Sequence, residues 1–138
     1  MKKISTFIID SDNNSRELIR NFTNELEYIQ ISDCYNSLKE AFNAIIKEQP
    51  QLIIVDLSND KEDNYKLIEK ITTTQKQTKI IVTAASYDTD SIIKAMRSGA
   101  REFLPKPILK EDLVNTLNKI NEQIYGSDKT TNCKVITT

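Results

Sequence analysis

Short apolar runs and segments of helical period alternate five times along this chain, and that alternation limits the fold more than any single residue does. A run of four to six β-prone apolar residues reads as a buried strand, whereas apolar residues recurring every three or four positions mark a helix packed by one face. Repeating that pair without hairpin signals requires crossover connections, and hence a parallel sheet covered by helices on both faces. The strands are predicted as KISTFIID (3–10), the more polar YIQISDCY (28–35) suited to a sheet edge, QLIIVDLS (51–58), KIIVTAAS (79–86) and REFLPKPI (101–108). QLIIVDLS has the unbroken apolar run of a central strand. The expected fold is α/β, a doubly wound (βα)₅ unit of flavodoxin-like type.

The helices are read from their stripes and stops. Asn14 and Glu17 have capping-box spacing ahead of Leu18, Ile19, Phe22 and Leu26, which puts the end of the first helix near Leu26. Leu38, Ala41, Phe42, Ile45 and Ile46 form a second stripe from Ser37, with Pro50 beyond it as a stop. SNDKED (58–63) reads as a solvated loop before a third helix carrying Leu67, Ile68 and Ile71. The fourth, over 88–98, is expected to turn Ile92, Ile93 and Met96 inward and to end on Gly99, where a left-handed residue is wanted. The last runs from Leu109 to about Tyr125 and buries Leu113, Leu117, Ile120 and Ile124.

A chain of 138 residues holds one well-buried core, assigned here to 1–126. Residues 127–138, SDKTTNCKVITT, turn from polar to β-prone and are expected to be a tail or a linker entering a following domain. With 19 Lys plus Arg against 20 Asp plus Glu there is no basic excess, so direct nucleic-acid binding is not expected. No apolar run nears the roughly 20 residues that cross a bilayer. Met1, Lys2 and Lys3 lead straight into a strand, so the chain is expected to be cytoplasmic without membrane insertion. Histidine is absent and the two cysteines, Cys34 and Cys133, stand apart, which removes Ser-His-Asp and Cys-His catalysis and argues against structural zinc. Gly99 and Gly126 are the only glycines, so no glycine-rich nucleotide loop can be written.

Open parallel sheets bind ligands beyond the carboxyl ends of their strands, where the strand order reverses. Those ends carry Asp10, Ser11 and Asp12, then Asp56, then Thr83 and Ala84, then Lys106 and Pro107. Singly, each has an ordinary structural use: Asp12 or Asn14 as a helix cap, Thr83 as a β-branched strand residue, Phe103 as core. Jointly they suit phosphoryl transfer. A carboxylate can accept the group as an acyl phosphate, oxygen ligands can hold Mg²⁺, and a hydroxyl and an ammonium can bind phosphoryl oxygens.

Over roughly 3–126 the chain resembles the receiver domains of two-component response regulators, of CheY-like type. The matching blocks are FIID with Arg16 further on, LIIVD, IIVTAAS, AMRSGAREFLPKPI and the closing helix. The resemblance implies Asp56 as phospho-acceptor, Thr83 as the hydroxyl on the phosphoryl group and Lys106 as its cationic partner. It further implies a metal site of Asp10, Asp56 and the Ser58 backbone carbonyl, with Phe103 as the aromatic that switches with Thr83 and a cis bond before Pro107. The implied partners are Mg²⁺, a histidine kinase or phosphotransfer protein, a downstream output domain or protein, and a second copy in a homodimer. The implied role is regulatory, not that of a turnover enzyme. Two features depart from the family. Ser11 stands where a second, metal-binding acid is usual, which makes it a weak ligand, and LSNDKEDN lacks the Met-Pro and Asp-Gly pairs usual after the acceptor.

Other readings compete. DSD also resembles the nucleophile motif of haloacid-dehalogenase-type phosphatases, with Asp10 as nucleophile and Asp12 as general acid, although Asn14 replaces the usual Thr. Alternatively the chain is a degenerate receiver that dimerises or docks without phosphorylation. Its tail is similar to the entry of a ParA/MinD-like ATPase, an arrangement that resembles pilus-assembly proteins of the CpaE/TadZ type.

Overall fold

A computed structural model describes residues 3–58 and 61–126. Five strands, β1 (Ile4–Ile9), β2 (Ile29–Tyr35), β3 (Leu52–Asp56), β4 (Lys79–Ala84) and β5 (Glu102–Pro105), alternate with α1 (Asn13–Thr23), α2 (Leu38–Glu48), α3 (Lys61–Thr74), α4 (Thr89–Ser98) and α5 (Lys110–Tyr125). The strands form one parallel sheet in the order β2-β1-β3-β4-β5. The doubly wound (βα)₅ fold expected from the sequence is the fold observed. Its order reverses between β1 and β3, and that crevice is where the carboxyl ends of the strands can receive a ligand.

Successive strand residues point to opposite faces, so each strand feeds two cores. Phe7, Ile9, Ile53, Val55, Ile80 and Val82 pack under α2, α3 and α4 with Ala41, Ile45, Ile68 and Ile71. Ile4, Ile8, Leu52, Ile54 and Ile81 pack under α1 and α5 with Ile19, Leu113, Leu117 and Ile120. Leu52, Ile53, Ile54 and Val55 are all at most 1% exposed, as a two-sided central strand requires. Each such side chain contributes roughly 1.5–3 kcal/mol of burial free energy. β2 forms the polar edge, and its pairing with β1 slips between Thr6 and Phe7, leaving Ser32 as the extra residue of a bulge.

Local signals set the boundaries, and several differ from the sequence reading. Asp12, not an Asn14–Glu17 box, caps α1: its carboxylate accepts from the Asn14 N–H at 3.3 Å and the Ser15 hydroxyl at 2.9 Å. α1 stops at Thr23 instead of Leu26. The Thr23 hydroxyl bonds back to the Ile19 and Arg20 carbonyls, competing with continued helix, and Leu26 packs from the turn beyond. Ser37 caps α2 by accepting from the Glu40 N–H. Lys61, Glu62 and Asp63, read as loop, are the first turn of α3, where Glu62 and Asp63 complement the helix dipole. The inward face of α4 is also corrected: Ala95 is its buried residue, while Ile93 and Met96 are 41% and 40% exposed and Ile92 is half-buried. Gly99 does adopt positive φ, 125°, and a Cβ there would stand 2.5 Å from Thr72 Oγ1. The tail or linker expected over 127–138 lies outside the described residues, as does Cys133.

Candidate functional site

Pairing of β3 with β4 sets Asp56 beside Thr83, and the same register continues into a Leu57 N–H bond to the Thr83 carbonyl. The Lys106 N–H bonds the Ala84 carbonyl, and the following peptide to Pro107 is cis, as expected. Together with the pairing of β1 and β3, these main-chain contacts bring the ends of β1, β3, β4 and β5 to one edge. There Lys106 Nζ lies 2.7 Å from Asp10 Oδ2 and 3.0 Å from Asp56 Oδ1. Both acids are nearly sealed from water, with side chains 2% and 5% exposed, against 12% for the lysine. Two buried carboxylates need a counter-charge, and one ammonium supplies it to both.

The remaining oxygens are also occupied. Asp10 Oδ1 accepts from the Asp12 N–H at 2.9 Å. Asp56 Oδ2 accepts from the Ser58 N–H at 3.1 Å, and Thr83 Oγ1 donates to Asp56 Oδ1 at 3.4 Å. Burial pulls the Lys106 ammonium down, but hydrogen bonds and charge from Asp10 and Asp56 outweigh it and hold the group above the ordinary lysine value. Asp12 sits apart in function: its carboxylate is committed to the α1 cap, and the Ser15 hydroxyl bond leads the causes that lower its pKa. Ser11 lines a cavity of about 440 Å³ together with Asp56, Asn36, Asp63 and Asn64. Phe103, half-buried, meets the Tyr87 ring edge-on at 4.9 Å between centroids. Thus the structure brings Asp10, Asp56, Thr83 and Lys106 into one contact set, with Ser11 and Ser58 at its margin.

Asp10 and Asp56 are the carboxylates that could hold a hard divalent cation. Mg²⁺ is commonly held by one or two carboxylates while keeping several waters, and the point on which the Asp10 and Asp56 carboxylates converge here holds the Lys106 ammonium. Among the described residues no group of three acids or cysteines is arranged to hold a metal.

Residues 6–118 match the family model described as the response regulator receiver domain. The chain belongs to that family. This receiver domain is 25% identical over 126 residues to the sensory transduction protein LytR of Staphylococcus haemolyticus, covering 91% of this chain and 48% of that protein. The chain spans about half the length of the first curated relatives it matches. Its fold matches the isolated receiver of RcsB from Salmonella enterica, solved with phosphomimetic BeF₃⁻, at a TM-score of 0.78 and 18% identity, covering 88% of this chain and 90% of that one. It also matches a candidate pilus assembly protein (cpaE) from Burkholderia thailandensis at a TM-score of 0.77 and 13% identity, covering 86% and 98%. The receiver family replaces the phosphatase reading of DSD, and the Asp12 carboxylate is engaged in capping α1.

Sequence reasoning missed three contributors. The Ser58 N–H on Asp56 is a main-chain donor and leaves no trace in side-chain pattern. Tyr87 as the ring partner of Phe103 depends on the path of the β4–α4 loop. In the sequence Arg16 stands out only as part of a matching block, although its guanidinium reaches the Asp10 carbonyl at 2.8 Å.

Proposed function

We propose that this receiver domain takes a phosphoryl group onto Asp56 from a histidine kinase or phosphotransfer partner and uses the acyl phosphate to switch an interaction surface. The observation that carries this is the sharing of one lysine by Asp10 and Asp56, with the Thr83 hydroxyl on the same Asp56 oxygen. A carboxylate oxygen of Asp56 attacks phosphorus, the bond to the donor's nitrogen or acyl oxygen breaks, and the donor leaves with the electron pair. Bound Mg²⁺, held by Asp10, Asp56 and the Ser58 carbonyl with Ser11 as a weak fourth donor, would neutralise charge on the transferring group. Lys106 and Thr83 then exchange their bonds to Asp56 for bonds to phosphoryl oxygens. Movement of Thr83 alters the space beside Phe103 and Tyr87, and so biases one of two arrangements of the β4–α4 surface. In the chain's own setting the output is a following domain reached through 127–138, a downstream protein or a homodimer, in the cytoplasm.

Beryllofluoride with Mg²⁺ is expected to shift the amide resonances of Thr83, Tyr87 and Phe103 in the wild type and to leave Asp56→Asn unshifted. An unresponsive wild type contradicts the proposal. One observation favours a second reading, a receiver that docks or dimerises without phosphorylation: Ser11 removes an acid from the metal site. Ser11→Asp is expected to raise Mg²⁺ affinity in a calorimetric titration, and an unchanged affinity would mean that position 11 is no ligand at all.

A further inference from the structure

Arg16, half-buried on α1, takes no part in the chemistry above, but its guanidinium joins three segments around the site. Nη1 donates to the Asp10 main-chain carbonyl at 2.8 Å and to Asn36 Oδ1 at 2.5 Å, and Nη2 donates to Asn13 Oδ1 at 2.8 Å. The acceptors belong to the end of β1, the loop between β2 and α2, and the first residue of α1. A planar guanidinium can hold three acceptors at fixed angles, which a lysine ammonium on a flexible stem cannot. The Asp10 carbonyl belongs to the peptide that leads into Ser11, so fixing that plane fixes the path of the chain through position 11. The Asp12 N–H bond to Asp10 Oδ1 closes the same turn from the side-chain end. Asn36, the second acceptor, lines the cavity that holds Ser11 and Asp56.

We infer that Arg16 is a positioning residue: it orients the Asp10–Ser11 peptide and the Asn36 wall, and thereby the oxygen donors offered to a divalent cation. The inference rests on the metal-assisted reading proposed above. Charge and position make opposite demands on a test. A guanidinium close to a cation site repels the cation, so deleting the charge alone tightens binding. Loss of positioning weakens it, and the loss of a group that orients a metal ligand is worth about tenfold in affinity at the lower end.

Mn²⁺ is the probe, with free ion followed by electron paramagnetic resonance and folding followed by circular dichroism. Arg16→Met is expected to bind Mn²⁺ about tenfold more weakly than wild type in spite of its lost positive charge. Arg16→Lys, which keeps the charge and loses the fork, is expected to weaken in the same direction. Unchanged or tighter binding in Arg16→Met overturns the inference. Should Arg16→Met fail to fold, Arg16→Lys and Asn36→Ala decide: wild-type affinity in both overturns it, and weakening in either supports it. A wild type that binds no Mn²⁺ removes the metal reading and the inference together, whereas a binding wild type with unaltered variants removes the inference alone.

Discussion

Lys106 sits between two carboxylates that the fold has nearly closed off from water. Deleting an ammonium from such a pair leaves charge without a partner, which costs more than an exposed ion pair ever contributes. Lys106→Met is expected to lose about 2 kcal/mol in urea unfolding without divalent ions, less than the roughly 3–5 kcal/mol of a fully buried pair because the lysine keeps 12% exposure. Adding Asp10→Asn to that variant should recover most of the loss; no recovery would mean that the two acids are not coupled through the lysine. The pH dependence has a definite sign. The folded-state pKa of Lys106 is raised, so its contribution is complete below the ordinary lysine value of 10.5 and disappears as pH climbs through the raised value. The stability gap between wild type and Lys106→Met should therefore stay level through neutral pH and narrow only above about pH 10.5 in alkaline urea titrations.

Gly99 shows how an element boundary depends on a neighbour. Its φ of 125° ends α4, and an added Cβ would fall 2.5–2.8 Å from three Thr72 side-chain atoms, while the Thr72 hydroxyl already donates to the Ser98 carbonyl at 3.0 Å. Gly99→Ala is expected to destabilise the domain by more than about 1 kcal/mol, measured by thermal or urea unfolding. Shortening Thr72 in the same chain should return the steric part and not the backbone part. A neutral Gly99→Ala would contradict the conformation assigned to this turn.

At this scale the sequence was informative wherever period and punctuation agreed. The β3 run, the α5 stripe and the Gly99 stop are strong local signals, and all three are present in the structure. The α4 face was misjudged because a short helix at the end of a sheet has one covered side, which Ala95 fills, and apolar side chains alone cannot reveal which side that is. The start of α3 was misplaced because NDKED is polar whether it is a loop or an acidic first helical turn. The strand-end residues were legible because topology converts sequence position into spatial position. The Ser58 N–H and the Arg16 fork were not, since both depend on loop geometry that side-chain type does not encode.

Across the whole molecule, one parallel sheet with a core on each face serves as a rigid base, and the groups of the site hang from four of its strands. Receiver family membership and this geometry together make Asp56 the group on which the account depends. The most direct measurement is the intact mass of the wild type and of Asp56→Asn after incubation with acetyl phosphate and Mg²⁺. One added phosphoryl group is expected in the wild type, lost on removal of Mg²⁺ and absent from Asp56→Asn. An unmodified wild type, or an Asp56→Asn variant that gains the same mass, would contradict the account.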